Sequence, residues 1–271
     1  MSTGHVYFIG AGPGAPDLIT VRGRAILERA DVIIYADSLV DPRVCDCARR
    51  DAENYGSSSL TLDEISERMI DAAREGKLVA RLQSGDPSIY GAIHEQITRL
   101  DAADVPWTIV PGVSSAFAAA AALGVELTVP EVAQTVIFSR ISGRASPVPS
   151  VEALRSLAAH HTSLVLFLSI IYVERVVAEL LAGGYPPEAP VAVVYRVTWP
   201  DEAVIRGTLA DIAPKVRAAP WKKQALILVG AVLGADSGRD GRRSRLYAAD
   251  YSHLFRKKRK RARPAGEVAS P

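Results

Sequence analysis

His5-Val-Tyr-Phe-Ile-Gly10-Ala-Gly-Pro-Gly-Ala15-Pro-Asp-Leu-Ile-Thr20 is the clearest structural signal in this chain. Its apolar run at 6–9 predicts a buried strand, and the glycines and prolines that follow predict a tight loop. From Val21 onwards, apolar residues at three- and four-residue spacing predict a helix. A strand, a loop and a helix in this order begin an α/β unit, so we expect an α/β protein.

The same alternation continues along the chain. Runs rich in Val, Ile and Leu, without strict polar alternation, predict buried strands at 5–9, 31–35, 77–82, 107–110, 135–139, 163–168, 191–195, 203–206 and 225–229. Helical spacing predicts helices at 21–30, 62–75, 92–102, 114–123, 151–159 and 172–182. Thr61-Leu-Asp-Glu64 matches a capping box, which places the start of the second helix.

The chain length predicts two lobes, because 271 residues exceed the roughly 150 of a typical domain. The first five units end near Pro111-Gly112, and an irregular segment at 127–134 precedes the next strands. We therefore assign 1–112 to an N-terminal lobe, 113–235 to a C-terminal lobe and 236–271 to an extension. The strands at 191–195 and 203–206 are so close that they predict a hairpin and a mixed sheet in the later lobe.

Composition excludes several classes of protein. With 48% hydrophobic and 23% charged residues, the chain is neither globally disordered nor a collagen or disulfide scaffold. No apolar run reaches the ~20 residues of a membrane span, and the first twenty residues lack a signal-peptide pattern, so we expect a cytoplasmic protein without a membrane span. Cys45, Cys47 and the five histidines show no metal-ligand spacing, so no metal cofactor is expected.

Charge is concentrated at the C-terminal end. Residues 236–271 hold eleven Lys or Arg and four acidic residues, a net charge of +7, whereas the whole chain has +2 and residues 1–235 therefore carry −5. The basic run at 256–263 is typical of a solvated chain end. We do not expect a nucleic-acid function, although RNA or an anionic surface stays open as a partner of 256–271.

The first candidate loop, Gly10-Ala-Gly-Pro-Gly14, formally satisfies the glycine pattern of dinucleotide-binding folds. Pro13 and Pro16 stiffen it, however, and Asp31, the acid nearest the required offset, precedes the second strand. An NAD-dependent oxidoreductase is therefore a distant alternative, and a tight turn at the sheet edge is another.

Two further loops also follow predicted strands and precede predicted helices. Gln83-Ser-Gly85-Asp86-Pro87 offers a carboxylate beside a flexible glycine, and Asp86 could either bind a ligand amine or hydroxyl or cap the next helix. Val110-Pro-Gly112-Val-Ser114-Ser115 offers two hydroxyls, either of which could be an ordinary helix cap. Ligands collect at the carboxyl ends of parallel strands, so we expect the three loops to share one site.

Together these motifs resemble the tetrapyrrole (corrin/porphyrin) methyltransferase family. The resemblance extends over about 4–255 and rests on 6–20, 24–35, Ser84-Gly-Asp-Pro87 and 110–115. Four more stretches, at 36–40, 89–96, 124–134 and 246–253, resemble the branch that methylates C11 of precorrin-4 in cobalamin biosynthesis. The segment after the second strand differs from that of ribosomal-RNA methyltransferases of the same family.

The resemblance implies a two-lobed α/β architecture, with a sheet flanked by helices in each lobe and a cleft between the lobes that holds S-adenosylmethionine. It implies a homodimer and a tetrapyrrole substrate, precorrin-4. The residues that it places at the cofactor are Pro13, Gly85, Asp86, Ile89, Ser114, Ser115, Leu168, Ala192 and Val229. Gly10, Gly12 and Gly14, next to Pro13, are implied as the floor beneath the substrate.

A tetrapyrrole with many carboxylate groups needs cations, and guanidinium suits bidentate carboxylate binding. The arginines at or just beyond strand ends are Arg81, Arg140, Arg144 and Arg196. No Ser-His-Asp or Cys-His constellation demands a dedicated nucleophile. Tyr90 and Glu95 are candidates for assisting proton movement in the tetrapyrrole. Cobalt-precorrin-4 and another corrin position remain alternative substrates.

Overall fold

The computed structural model describes residues 4–143, 147–234, 248, 251–252 and 254–256. The first sheet is entirely parallel, in the order β3-β2-β4-β1-β5. Its strands are β1 His5–Gly10, β2 Val32–Tyr35, β3 Glu53–Gly56, β4 Leu78–Gln83 and β5 Trp107–Val110. The helices between these strands are α1 Val21–Leu27, α2 Leu62–Arg74 and α3 Ile93–Ala102.

The second sheet is mixed, in the order β6-β7-β10-β8-β9. Only β6 and β7 are parallel, and β8 and β9 form the predicted hairpin. Its strands are β6 Val136–Arg140, β7 Ser163–Phe167, β8 Pro190–Tyr195, β9 Ala203–Thr208 and β10 Ala225–Val229. The accompanying helices are α4 Ser115–Leu123, α5 Leu154–Ala158, α6 Val173–Ala182 and α7 Ile212–Ala218.

Each sheet is covered by apolar side chains on both faces. In the first sheet, Val6 and Phe8 face the core beneath α2, whereas Ile9 and Ile33 face the core beneath α1. In the second sheet, α4 lies over one face through its buried alanines, and α5, α6 and α7 lie over the other. Parallel strands buried on both faces explain why the apolar runs of the sequence lack alternation.

The nine predicted strands are all confirmed, and two elements were missed. The strand β3, Glu53–Gly56, is an edge strand with exposed or half-exposed polar residues, so it lacks an apolar run. The helix α7 is short and contains Pro214, which sequence reasoning counts as a breaker although its first turn tolerates it. The helix predicted at 151–159 is wrong at its start, because Ser150–Glu152 form a separate 3-10 turn, Ala153 has a non-helical ψ of 138° and α5 begins at Leu154.

The two lobes meet through loops that follow strands. The Trp199 indole Nε1 donates to the Pro13 carbonyl at 3.1 Å, and the Ala15 amide donates to Thr198 Oγ1 at 2.9 Å. The side-chain Nε2 of Gln224 donates to the carbonyl of Ser38 at 3.1 Å. These contacts join the carboxyl edge of the first sheet to the second lobe, and they surround a cavity.

Within the described part of the chain, no helix combines the length and apolar character of a membrane span. The longest helix described, α2, has 13 residues and one buried face.

The capping box at the start of α2 can be tested by its contribution to stability. The Glu64 amide donates to Thr61 Oγ1 at 3.3 Å, and the Thr61 amide donates to Glu64 Oε2 at 2.7 Å. Thr61→Ala should lower the free energy of unfolding by about 1 kcal/mol, measured by urea denaturation. The control is Thr98→Ala on α3, where the hydroxyl donates only to its own helix and the change should stay below about 0.5 kcal/mol. Equal losses in the two variants would contradict the role of the cap.

Candidate functional site

Three glycines bring the three predicted loops into backbone contact. A Cβ on Gly10 would overlap with Gly112, and a Cβ on Gly112 would overlap with the carbonyl of Gly85. The Gly85 amide donates to the Gly12 carbonyl at 2.8 Å, and the Gly12 amide donates back at 3.3 Å. Any larger residue at these positions would separate the carboxyl ends of β1, β4 and β5.

This contact bears on two interpretations of the first loop, the dinucleotide site and the substrate floor. The amides of Ala11 and Gly12 donate to the carbonyls of Gln83 and Gly85, so they are not available to a pyrophosphate. Gly10, Gly12 and Gly14 are buried, and Gly14 lies against Trp199, so their backbone joins loops, and their place beneath a substrate stays a prediction. Two of the backbone donors that the dinucleotide interpretation requires are therefore already used.

Asp86 connects the second loop to the third. Its Oδ2 accepts from the Gly112 amide at 2.8 Å, and its Oδ1 accepts from the Ser88 amide at 2.9 Å and from the Ser88 hydroxyl. Burial acts to raise the pKa of this carboxyl, but these hydrogen bonds outweigh it and hold the pKa below its usual range. The helix-cap alternative is wrong, because α3 begins at Ile93 and Asp86 is not its cap.

The third loop places two hydroxyls differently. Ser114 is buried and its Oγ accepts from the Ala116 amide at 3.3 Å. It therefore caps α4, which is the helix-cap alternative of the sequence analysis. Ser115 lies beside Gly85: a Cβ added to Gly85 would be 3.5 Å from the Ser115 amide nitrogen. Both serines line the cavity between the lobes.

The cavity has a volume of about 290 Å³ and is lined by both lobes. The N-terminal lobe contributes Pro13, Leu39, Gln83, Ser84, Gly85, Asp86, Ile89, Tyr90 and Gly91. From 113 onwards the lining residues are Ser114, Ser115, Phe167, Leu168, Ile170, Ile171, Val194, Arg196, Val197, Trp199, Lys222, Lys223, Gln224, Ala225 and Leu226. The wall is largely apolar, with a few polar and cationic groups, as small-molecule sites generally are.

Four non-glycine residues that line the cavity have left-handed backbone conformations. Their φ angles are 55° at Tyr90, 51° at Leu168, 42° at Arg196 and 56° at Gln224. Such conformations cost about 1–3 kcal/mol each and persist only where surrounding contacts enforce them. Strain of this kind clusters at functional sites, and here it marks the edge of the cavity.

Of the three residues of the second lobe that the resemblance places at the cofactor beyond the serines, only one lies on the cavity wall. Leu168 lies on the cavity wall and its side chain is 62% exposed, so it is accessible to a ligand. Ala192 and Val229 are corrections, because both are at most 1% exposed and pack inside the second lobe. The neighbouring strand positions Val194 and Leu226 line the cavity in their place.

Arg81 does not reach the cavity, which corrects its assignment to the substrate. It is 4% exposed, and its guanidinium donates to Gln96 Oε1, Ser57 Oγ and the Ile34 carbonyl inside the first lobe. Arg140 ends β6, next to Phe167 in the strand register. Arg144 lies outside the described residues.

Arg196 does line the cavity, and two lysines accompany it. The Arg196 guanidinium lies 3.9 Å above the Trp199 ring and pairs with Asp201 at 2.5 Å. Lys222 and Lys223 are exposed at the cavity edge. Sequence reasoning missed both lysines, although their position directly before the last buried strand could have indicated them.

The two proton-transfer candidates are placed differently. Tyr90 lines the cavity, its ring lies 5.3 Å from that of Phe167, and burial raises the pKa of its phenol. Glu95 is exposed on α3 and does not line the cavity, so the geometry gives it no contact with a ligand there.

Metal ligation finds no support in the part of the chain that the structure describes. No group of three or more His, Cys, Asp or Glu is placed to hold an ion there. Cys45 and Cys47 pack against the core below α1, and burial raises the pKa of Cys45 to about 11. A thiol that stays protonated is a poor nucleophile and a poor metal ligand. Apart from Arg256, the basic segment 256–271 lies outside the described residues.

Comparison with known proteins gives consistent matches along most of the chain. Residues 5–213 match the model of the Tetrapyrrole (Corrin/Porphyrin) Methylases family. A cobalt-precorrin-4 C(11)-methyltransferase of Methanocaldococcus jannaschii is 49% identical over 256 residues, 94% of this chain and 97% of the relative. A precorrin-4 C(11)-methyltransferase of Pseudomonas aeruginosa is 46% identical over 251 residues, 93% of this chain and 98% of the relative.

Solved structures agree in fold. An X-ray structure of a cobalamin biosynthetic enzyme, cobalt precorrin-4 methyltransferase, has a TM-score of 0.82 and 46% identity, covering 85% of this chain and 96% of its own. A uroporphyrin-III C-methyltransferase from Thermus thermophilus, complexed with S-adenosylhomocysteine, has a TM-score of 0.72 and 28% identity. The match covers 85% of this chain and 99% of that one.

The Asp86 contact predicts a pH-dependent stability. Asp86→Asn keeps the size of the side chain but removes the charged acceptor of the Gly112 amide, and should cost about 1 kcal/mol of unfolding free energy at pH 7. Because the folded pKa of Asp86 is lowered, its contribution is complete above the unfolded pKa of about 3.9 and is lost as pH falls through the folded pKa.

The measurement is urea denaturation of wild type and Asp86→Asn from pH 7 to pH 3. The difference between the two should shrink below about pH 4. The control is Asp17→Asn at an exposed site. A difference between wild type and Asp86→Asn that stays constant down to pH 3 would show that the carboxylate charge is irrelevant.

Proposed function

This chain belongs to the tetrapyrrole (corrin/porphyrin) methylase family, and we propose that it methylates C11 of precorrin-4 with S-adenosylmethionine as methyl donor. The products are precorrin-5 and S-adenosylhomocysteine, and the reaction belongs to cobalamin biosynthesis. The observation that supports this most is the pair of relatives named for this position, which match this chain over 93% or more of its length.

The donor set of the cavity fits S-adenosylmethionine. Gln83 lines the cavity, and its Nε2 is buried without a hydrogen-bond partner among the described residues, so one donor is left for a ligand. Ser115 adds a hydroxyl beside Gly85, and Ile89, Leu168 and Leu226 form an apolar wall that suits an adenine ring. The structurally similar uroporphyrin-III methyltransferase complexed with S-adenosylhomocysteine supports the same class of ligand.

When bound, S-adenosylmethionine supplies a sulfonium whose methyl group is electrophilic. The methyl acceptor would be a ring carbon of the tetrapyrrole, and S-adenosylhomocysteine would leave as the carbon–sulfur bond breaks, so the chain would need no nucleophile of its own. The three loops fix the position of one reactant against the other, and such alignment can supply about 7–11 kcal/mol of a barrier. Reactants bound against this apolar wall would displace water, which would strengthen the polar contacts around them.

Tyr90 is the residue placed to handle a proton. Its phenol has a raised pKa and therefore stays neutral at physiological pH, able to donate and to accept a hydrogen bond. Glu95 has no role in this proposal, because it lies outside the cavity lining.

The acidic substituents of a tetrapyrrole need positive charge at the cavity edge. Arg196, Lys222 and Lys223 supply it, within a body whose 1–235 segment carries a net charge of −5. The stacking of Arg196 on Trp199 and its ion pair with Asp201 fix the direction of the guanidinium. We therefore assign substrate carboxylates to this cationic edge, with Arg140 as a further candidate.

The cationic edge is tested by removing its two lysines. Lys222→Gln with Lys223→Gln should raise the KM for the tetrapyrrole roughly three- to tenfold at low salt, because exposed ion pairs contribute about 0.2–1 kcal/mol each. The affinity for S-adenosylhomocysteine, measured by calorimetry, should not change. Arg22→Gln, exposed on α1, removes one charge elsewhere and should leave both values unchanged. An unchanged KM in the double variant would contradict the assignment.

The reaction is tested by anaerobic incubation of the protein with precorrin-4 and carbon-13-methyl S-adenosylmethionine. Mass spectrometry should find one labelled methyl group, and NMR of the pigment should place it at C11. A parallel incubation with cobalt-precorrin-4 separates the two substrates, which the relatives divide between them.

Each outcome has a defined meaning. Label at C11 of either pigment supports the proposal and identifies the substrate form. Label at another carbon keeps the family and overturns the position. No transfer to either pigment, with S-adenosylhomocysteine bound, overturns the substrate.

Assembly and location complete the proposal. We propose a homodimer, as the family resemblance implies, and a cytoplasmic location. Light scattering after size exclusion measures the mass of the assembly. A monomer with full activity would contradict the dimer.

A further inference from the structure

Arg81 is a buried cation that the methyl transfer does not use. It lies on β4 and is 4% exposed, and burial lowers its pKa to about 10, so it stays charged at neutral pH. Its three hydrogen-bond acceptors are neutral. The nearby charge of Asp37 acts on it, but that carboxylate accepts from the Ser58 amide at 2.7 Å and from the Ser58 hydroxyl at 2.6 Å. Burying a charge costs free energy of folding, so stability alone does not explain why an arginine is present at this position.

The guanidinium of Arg81 joins three elements of the first lobe. Its Nη1 donates to Ser57 Oγ at 3.1 Å, directly after β3, and to the Ile34 carbonyl on β2 at 3.4 Å. Its Nε donates to Gln96 Oε1 on α3 at 3.0 Å. A planar fork with several fixed donors can reach three directions at once, which an ammonium group or an apolar side chain cannot do.

Gln96 carries this connection on to the cavity loop. It is 4% exposed, and its Nε2 donates to the carbonyl of Ala92 at 3.0 Å. Both polar atoms of the Gln96 side chain are thus used: Oε1 accepts from Arg81, and Nε2 donates to Ala92, the residue before α3. An amide is needed here, because a carboxylate would accept from Arg81 but could not donate to Ala92.

The loop that receives this hydrogen bond is strained. Tyr90 and Ala92 have φ angles of 55° and 49°, so two of three consecutive residues are left-handed without being glycine. At its start the loop is fixed by Asp86, whose carboxylate binds the Ser88 and Gly112 amides. Left-handed conformations persist only where neighbours enforce them, and Gln96 is the side chain that contacts the far end.

We propose that Arg81 and Gln96 form a buried positioning pair that holds the segment 89–92 in the conformation presenting Ile89 and Tyr90 to the cavity. The kinetic part of this inference rests on the proposed function, whereas the structural part does not. Neither residue touches the ligand cavity, so both act through the loop.

Three variants separate positioning from stability. Gln96→Leu removes both hydrogen bonds. Gln96→Glu keeps the acceptor for Arg81 and removes only the donor to Ala92. Ser57→Ala is the matched control, because it removes a buried hydrogen bond of the same guanidinium on the side away from the loop.

The first readout is hydrogen exchange of the backbone amides in 88–93, which does not require any ligand. Both Gln96 variants should exchange faster there than wild type by about three- to tenfold, whereas Ser57→Ala should match wild type even if it is less stable overall. Equal exchange rates in this segment for all three variants would overturn the proposal. Faster exchange in Gln96→Leu alone would also overturn it, because it would trace the effect to lost stability.

The second readout is calorimetric affinity for S-adenosylhomocysteine in a double-mutant cycle. Gln96→Glu should raise the Kd about three- to tenfold. This effect should largely disappear in the Ile89→Ala background, because Gln96 acts on the ligand by holding the Ile89 side chain in place. Additive effects would overturn the proposal. If wild type fails to bind S-adenosylhomocysteine, the proposed function fails, and the exchange experiment still decides the positioning role.

Discussion

The close backbone contact of Gly10, Gly85 and Gly112 is the constraint on which the site depends. It fixes the carboxyl ends of β1, β4 and β5 against one another, and the Gly12–Gly85 hydrogen bonds and the Asp86 carboxylate close the contact. Because the amides of Ala11, Gly12 and Ala15 already donate within the protein, the first loop lacks most of the donors of a phosphate cradle. The glycines that suggest a nucleotide site in the sequence thus serve a site of another kind.

The cavity exists only because a second lobe lies over this edge. Trp199 and Gln224 bind backbone carbonyls of the first lobe, and left-handed residues from both lobes surround the space between them. Conformational strain here is held by well-packed sheets on either side. This arrangement suits methyl transfer to carbon, which requires alignment and exclusion of water more than an additional reactive side chain.

The sequence predicted most of the architecture and part of the site. Apolar runs indicated every buried strand, whereas the polar edge strand β3 was missed because its residues gain little from burial. The family resemblance placed Asp86, Ile89 and Leu168 at the cofactor, and all three line the cavity. Ala192 failed although it shares a face of β8 with Val194, because it lies two residues farther from the end of the strand and packs among the buried residues beneath α4. Only Val194, nearer the strand end, lines the cavity.

What the sequence by itself determined is therefore local: the α/β alternation, the capping box of α2 and the three loops that follow strands. Only the tertiary structure decided which charges face a ligand. Arg81 is directed inward by Ser57 and Gln96, whereas Lys222 and Lys223 reach the cavity edge. The physical reason is that a long cationic side chain has no preferred environment in sequence, and its role depends on which acceptors the packed elements bring within its reach.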